Sequence, residues 1–193
     1  MLYIDRIAKQ LVVLAENTIK EFNQDGKDRI YAFFYTVSSK GNFIYPLILS
    51  DNRWLEISQS FLASEKIELN AKTIKIAKQS LRWAVGEDWF IPKSDLLENA
   101  NSLILKAIEN NEIELFDGVV EELCIKALKE LHEHNFFGDS SQSIVVGLTH
   151  RSESDEEFIN WIKQTNSSEI LEKIKRELNL MYAAQKIISS GSF

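Results

Sequence analysis

The apolar positions nearest the N-terminus recur close to the spacing of a helix, and charged residues lie between them. They are Ile4, Ile7, Leu11, Leu14, Ile19 and Phe22. This spacing predicts an amphipathic helix over about residues 2–23. The pattern changes over residues 30–37, where β-branched and aromatic residues occupy both alternating faces. Such a run is typical of a strand that is covered on both sides, so we expect it at the centre of a sheet.

A short polar turn over residues 38–42 contains a glycine and precedes a second apolar run, residues 43–49. The two runs predict a β-hairpin. Because Pro46 has no backbone N–H to donate, we expect the second strand at the edge of the sheet. Residues 71–83 fit either a helix or a strand, and we favour a third strand that ends at Trp83.

The rest of the chain has mainly helical spacing, interrupted by an apolar run at residues 144–148 that predicts another strand. Ser154 is followed three residues later by Glu157, the spacing of a capping box, so a helix should begin there. These patterns predict an α+β fold: a small, mainly antiparallel sheet of three or four strands packed against several amphipathic helices. We expect one globular domain over about residues 1–188 and a frayed tail over about residues 189–193.

Composition restricts the class of protein. Of the 193 residues, 45% are hydrophobic, enough to bury a substantial core. Charged residues interrupt the N-terminal segment, which argues against a signal peptide. The longest apolar run, residues 30–35, is too short to cross a bilayer. The single cysteine cannot form an internal disulfide, which fits a reducing compartment. We therefore expect a soluble, cytoplasmic protein that has no membrane partner.

Charge is distributed unevenly along the chain. Residues 109–139 contain nine carboxylates and two lysines, an excess equal to the whole net charge of −7. Residues 66–82 contain five basic residues and one glutamate. A pI near 5.1 argues against nucleic-acid binding. An acidic face would attract a basic protein partner, although such a face can also serve only for solubility. The residues predicted to bind a partner are Glu112, Glu114, Glu121, Glu122, Arg82, Trp83 and Trp89.

Candidate catalytic and metal-binding residues are few. His132 and His134 flank one residue near the end of a predicted helix, where side chains two positions apart point in different directions. We interpret them as cationic histidines at a helix C-terminus and predict no metal. Cys124 belongs to an apolar helical stripe, which predicts a buried thiol. The sequence has no glycine-rich phosphate loop and no nucleophile elbow, and we predict no cofactor.

Two of the four tryptophans, Trp83 and Trp89, lie six residues apart beside charged residues. One interpretation is structural, because two large rings can anchor the join between a sheet and its helices. The other is a recognition surface, since tryptophan and arginine are typical anchors of protein interfaces and Arg82 is adjacent.

Three short segments of the chain form a recognisable set. They are the aromatic strand Tyr31–Thr36, the pair Arg82-Trp83 followed by Glu87-Asp88-Trp89, and the helix end Leu131–Gly138. Together they resemble an uncharacterised bacterial domain family of unknown function. Some of its members are similar to the immunity proteins of contact-dependent and polymorphic toxin systems, which bind and block a toxin. The resemblance covers about residues 5–165 and supplies no catalytic residues.

Two functional hypotheses follow. The favoured one is a non-catalytic cytoplasmic protein-binding domain of the immunity type, which blocks a basic partner by occlusion. The alternative is a small hydrolytic enzyme that uses His132, His134 or His150 with the carboxylates of residues 155–157. Convergence of those histidines and carboxylates in one pocket would favour the enzyme.

Overall fold

A computed structural model describes residues 2–23, 28–83, 95–134, 136, 144–150 and 154–191. Within these residues the chain forms seven helices and three strands. They are α1 (Tyr3–Phe22), β1 (Ile30–Val37), β2 (Ile44–Ser50), α2 (Asp51–Ser64), α3 (Ala71–Ser80), α4 (Asp95–Glu109), α5 (Val119–Glu133), β3 (Val145–Thr149), α6 (Asp155–Lys163) and α7 (Ser168–Ser190). The predicted α+β fold is confirmed.

The sheet has the strand order β2-β1-β3. The central strand β1 is buried along its whole length, as its apolar residues predict. It pairs with β2 in an antiparallel hairpin in which Pro46 lies opposite Tyr35. The expectation that the Pro46 strand forms an edge is confirmed. However, β3 pairs with β1 in parallel, from Ala32 opposite Val145 to Thr36 opposite Thr149. The sheet is therefore mixed rather than mainly antiparallel, because the chain crosses over through α2 to α5 before it enters β3.

Helices cover both faces of the sheet. On one face, α1, α4 and α5 pack against β1 side chains that include Phe33 and Tyr35; we call these helices the first layer. On the other face, α2, α6 and α7 pack against Tyr31 and Phe34, and α3 packs on α2 and α7. These four helices form the second layer. Because both faces of β1 are buried, its sequence does not alternate between apolar and polar residues.

The prediction of a third strand over residues 71–83 was wrong. Residues Ala71–Ser80 form helix α3, and Asn70 begins it with a capping box. The Asn70 side chain accepts hydrogen bonds from the N–H groups of Lys72 and Thr73, while the Thr73 hydroxyl accepts one from the Asn70 N–H. This cap satisfies backbone donors that a strand would have had to pair in the sheet, and so favours the helix.

Two other helices begin or end where the sequence predicts. The first helix, α1, begins and ends within one residue of the predicted bounds. The capping box of Ser154 and Glu157 begins α6, as predicted. The last helix, α7, continues to Ser190 and ends at Gly191. Among the helices that the structure describes, none is long and apolar enough to cross a membrane.

Candidate functional site

The two helical layers carry different charge. Residues 95–134, which form α4, α5 and the loop between them, contain ten carboxylates and three lysines, a net charge of −7. The described segments of the second layer, residues 51–83 and 154–191, contain ten carboxylates and eleven basic side chains, a net charge of +1. The sheet therefore separates a strongly acidic side of the molecule from a nearly neutral one.

The most unusual part of the acidic side is the loop between α4 and α5, residues 110–118, which we call the acidic loop. Phe116 in this loop is 69% exposed and has a φ angle of 69°. A left-handed conformation is unfavourable for a bulky residue and persists only where the surrounding structure enforces it. The neighbouring Leu115 is also exposed. The loop thus presents two apolar side chains to solvent.

Hydrogen bonds from the backbone N–H groups of the loop hold Phe116 in this position. Its N–H donates to the carbonyl oxygen of Lys40 in the β1–β2 turn, at 3.1 Å. The carboxylate of Asp117 accepts hydrogen bonds from the N–H groups of Glu114, at 2.7 Å, and Val119, at 2.9 Å. Gly118 then adopts a φ of 78°, which glycine allows at little cost, and α5 begins. The exposed phenylalanine therefore lies on a loop that is tied to the sheet.

The four glutamates predicted to bind a partner divide into two pairs. Glu114 and Glu122 are exposed. Glu112 instead accepts hydrogen bonds from the N–H groups of Tyr3, at 2.7 Å, and Ile4, at 3.3 Å, and so caps the first turn of α1. Glu121 is only 9% exposed. The carboxylates of Glu114 and Glu122 are thus accessible to a partner, whereas those of Glu112 and Glu121 make contacts within the fold.

Glu121 faces a histidine that lies far away in the sequence. Its Oε1 is 3.8 Å from Nε2 of His150, which directly follows β3. Its other carboxylate oxygen, Oε2, is buried and has no hydrogen-bond partner among the described residues. The ring of His150 lies 6.0 Å from that of Trp161 in α6. Hydrogen bonds from Ser154 lower the pKa of Glu157, and the charge of His150 acts in the same direction.

Arg82 contributes to a mostly buried network between β1 and the second layer. Its Nη2 donates to Glu177 at 2.8 Å, and its Nε donates to the Tyr31 hydroxyl at 2.7 Å. The Tyr31 hydroxyl donates in turn to Glu177. Burial is the main cause that raises the pKa of Tyr31. The guanidinium also lies over the rings of Tyr31 and Trp54.

Trp83 is 6% exposed and lies between the sheet and the second layer. Its ring is 5.5 Å from that of Tyr31 and 5.8 Å from that of Phe158. This position agrees with the structural interpretation of the tryptophan. Trp89 and the adjacent carboxylates at positions 87 and 88 lie outside the described residues, as do positions 137 and 138.

The three histidines occupy different environments. His132 lines an open groove of about 390 Å³ together with Lys129, Gln164 and Asn166. Burial lowers the pKa of His132, which favours its neutral form and corrects the expectation of a cationic histidine at this position. His134 is the exposed residue that ends α5.

These positions bear on the enzyme hypothesis. His132 lies eleven residues beyond Glu121 in the same helix, about 16 Å away at the helical rise per residue. Asp155 accepts a hydrogen bond from the Tyr182 hydroxyl. Within the predicted set, the charge of His150 acts on Glu157 and helps to lower its pKa. In the part of the chain that the structure describes, no three His, Cys, Asp or Glu side chains form a group that could hold a metal ion.

Sequence reasoning treated Glu121 as a surface charge and His150 as one of several candidates, and so missed their pairing. The one available signal was that Glu121 immediately follows Val120 in the apolar stripe of α5. Cys124, one turn further on, is buried as predicted; burial raises the pKa of its thiol, and the charge of Glu121 raises it further.

Comparison with known families identifies the chain. A family model described as a domain of unknown function, DUF4303, matches residues 14–167, so the chain belongs to this family. The match begins within α1 and ends after α6, and therefore includes the whole sheet and the acidic loop. The resemblance to an uncharacterised domain family is confirmed. No curated protein and no solved structure matches the chain.

Proposed function

We propose that this member of the DUF4303 family is a non-catalytic, cytoplasmic protein-binding domain that blocks a basic partner by occlusion. The acidic loop forms the centre of its contact surface. The observation that carries the proposal is Phe116, 69% exposed in a left-handed conformation beside the carboxylates of this loop. Some members of the family that this chain resembles are similar to immunity proteins. Immunity proteins work by such occlusion and need no catalytic group.

The surface combines two features that interfaces use. Large apolar side chains near the centre supply most of the affinity once they are desolvated. Charged side chains at the rim attract an oppositely charged partner and increase the association rate. Here Phe116 and Leu115 are the apolar anchors, and the exposed carboxylates of Glu109, Glu114 and Glu122 form the acidic rim.

The backbone of the loop supports the same conclusion. A strained residue costs about 1–3 kcal/mol, and such residues cluster at functional sites. Glycine at position 116 would avoid both the strain and the exposed ring. The hydrogen bonds of Phe116 and Asp117 also order the loop in the free protein, so less conformational entropy is lost on binding.

The proposal can be tested by quantitative affinity capture from extract of the source cells. Three baits are compared: the wild-type chain, Phe116→Ala, and Leu180→Ala as the control, since Leu180 is 52% exposed on α7 in the other layer. We expect a basic protein that binds directly to the purified wild-type chain and to Leu180→Ala, and that loses most of its binding to Phe116→Ala. Equal binding of that protein to all three baits would disprove the role of the acidic loop.

A hydrolytic enzyme is the second candidate, because His150 lies 3.8 Å from the carboxylate of Glu121 and its charge helps to lower the pKa of Glu157. A carboxylate that orients a histidine is a common arrangement of general bases. Hydrolysis of a panel of carboxylic and phosphoric ester substrates by the purified chain, abolished by His150→Gln and retained in His134→Gln, would favour this candidate over the binding domain.

A further inference from the structure

The basic segment of the sequence, residues 66–82, has no part in the function proposed above. Two of its side chains, Lys78 and Arg82, lie four residues apart and so share one side of α3 and the turn that follows it. Arg82 reaches α7, which packs on α3 and carries Lys173 and Glu177, also four residues apart. These two rows of side chains bring three cations and one carboxylate together.

Two buried rings lie beneath the three cations. The centre of the Trp54 ring is 4.5 Å from Nζ of Lys78 and 4.1 Å from Cζ of Arg82. The centre of the Tyr31 ring is 3.8 Å from Cζ of Arg82 and 5.2 Å from Nζ of Lys173. The two rings stack on each other, and they are only 7% and 4% exposed. The cations are thus grouped around one aromatic pair, and the rings offer no free face on which a base could stack.

The one carboxylate of this group is already occupied. Glu177 accepts hydrogen bonds from Nη2 of Arg82, at 2.8 Å, and from the Tyr31 hydroxyl. Among the described residues, no carboxylate forms an ion pair with Lys78 or Lys173. A guanidinium has five N–H groups, and within the same part of the chain Arg82 uses two of them, for Glu177 and Tyr31. The described groups therefore leave an excess of two positive charges and several unpaired donors.

We propose that Lys78, Arg82 and Lys173 form a binding site for a doubly charged phosphate group. A phosphate monoester carries about −1.5 to −2 charge at pH 7, which matches this excess, whereas a carboxylate carries only one charge. Its three free oxygens can accept hydrogen bonds from the guanidinium and from both ammonium groups. The phosphate belongs either to a small molecule or to a phosphorylated protein side chain. The site lies in the second layer, across the sheet from the acidic loop, and does not depend on the function proposed above.

The site can be tested by titrating the full, isotope-labelled chain with inorganic phosphate at constant ionic strength and following its NMR spectrum. We expect a saturable shift of the Arg82 Nε–H signal, because this guanidinium contacts the anion. Lys78→Gln and Lys173→Gln should each weaken the binding about fivefold, as expected for the loss of one ion pair near the surface. Their controls are Lys75→Gln on α3 and Lys175→Gln on α7. These controls remove the same charge from exposed positions outside the group and should leave the binding nearly unchanged.

Two results would overturn the proposal. One is the absence of a saturable shift with phosphate. The other is equal weakening by the site variants and their controls, which would mean that anions are attracted diffusely to the whole surface. Because Lys78→Gln and Lys173→Gln change different helices, a folding defect in one leaves the other informative. Phe116→Ala should bind phosphate as the wild type does, so this site and the proposed function are tested separately.

A second titration distinguishes the two sources of the phosphate. Its probe is phosphoserine blocked at both ends, and blocked serine without the phosphate is the control. Tighter binding of the blocked phosphoserine than of inorganic phosphate would indicate a phosphorylated protein. Equal binding of the two would indicate a small phosphorylated molecule. Binding of the unphosphorylated control as tight as that of the phosphoserine would contradict a phosphate site.

Discussion

The guanidinium of Arg82 lies 3.8 Å from the centre of the Tyr31 ring, and its Nε–H donates a hydrogen bond to the hydroxyl of the same tyrosine. One side chain thus contacts both the face and the polar end of the other. Glu177 of α7 completes the network by pairing with both. The arrangement joins β1 to the second layer through charged groups that are only 16% exposed, where hydrogen bonds to charge are stronger than at the surface.

Tyr31→Phe should destabilise the fold, because it removes the hydroxyl that bridges Arg82 and Glu177 and leaves both partly unsatisfied. We expect a loss of about 1–3 kcal/mol in the free energy of unfolding, measured by urea denaturation. Tyr45→Phe is the control, since the half-buried Tyr45 on edge strand β2 takes no part in this network. Equal stability of the two variants would mean that the network contributes nothing beyond packing.

Trp83→Ala should be more severe, because it removes a large ring that packs against Tyr31, Phe34 and Phe158 at the join of the sheet and second layer. Deletion of a core aromatic side chain costs about 3–5 kcal/mol. Thermal unfolding followed by circular dichroism would measure the loss, with exposed Leu180→Ala as the comparison. A melting temperature close to that of the wild type would contradict the buried position and revive the recognition interpretation.

The four glutamates of the acidic side should separate into two functional pairs. The double reversal Glu114→Lys/Glu122→Lys changes exposed charges, so it should alter the free energy of unfolding by less than about 1 kcal/mol. With a basic partner, it should reduce the association rate about tenfold at low salt, with a smaller effect as salt screens the charges. Stopped-flow kinetics at several salt concentrations would show this.

The other double reversal, Glu112→Lys/Glu121→Lys, makes the same change in net charge but removes the cap of α1 and places a lysine against His150. We expect it to reduce the free energy of unfolding by at least about 2 kcal/mol. Urea denaturation of the two double variants side by side tests the assignment. Equal free energies of unfolding in the two double variants would contradict this assignment.

His132 should make the protein less stable as the pH falls. Because burial lowers the pKa of His132 in the folded chain, the unfolded chain binds a proton more readily at this position. The free energy of unfolding should therefore decrease as the pH falls through the range in which free histidine titrates. His132→Gln should flatten this decrease, whereas His134→Gln should not, because His134 is exposed. An unchanged pH profile in His132→Gln would show that the histidine is solvated.

Local patterns in the sequence determined most of the elements. The apolar spacing predicted α1 within one residue at each end, and the Ser154 capping box predicted the start of α6, because both depend on neighbouring residues alone. The even burial of β1 followed from apolar residues on both of its faces. Residues 71–83 were misassigned since their apolar spacing fits two periods, and the side-chain cap at Asn70 favours the helix.

Other features were decided only by the tertiary structure. The parallel direction of β3 depends on where the long crossover returns the chain, which no local pattern contains. In the sequence, Glu112 and Glu121 look like surface charges in an acidic run. In the fold, Glu112 contacts Ile4, 108 positions away, and Glu121 contacts His150, 29 positions away. Charge along a chain reports composition, whereas exposure and pairing arise when distant segments meet. The sequence by itself therefore determined that this protein has an acidic side, and the fold decided which carboxylates on that side are exposed.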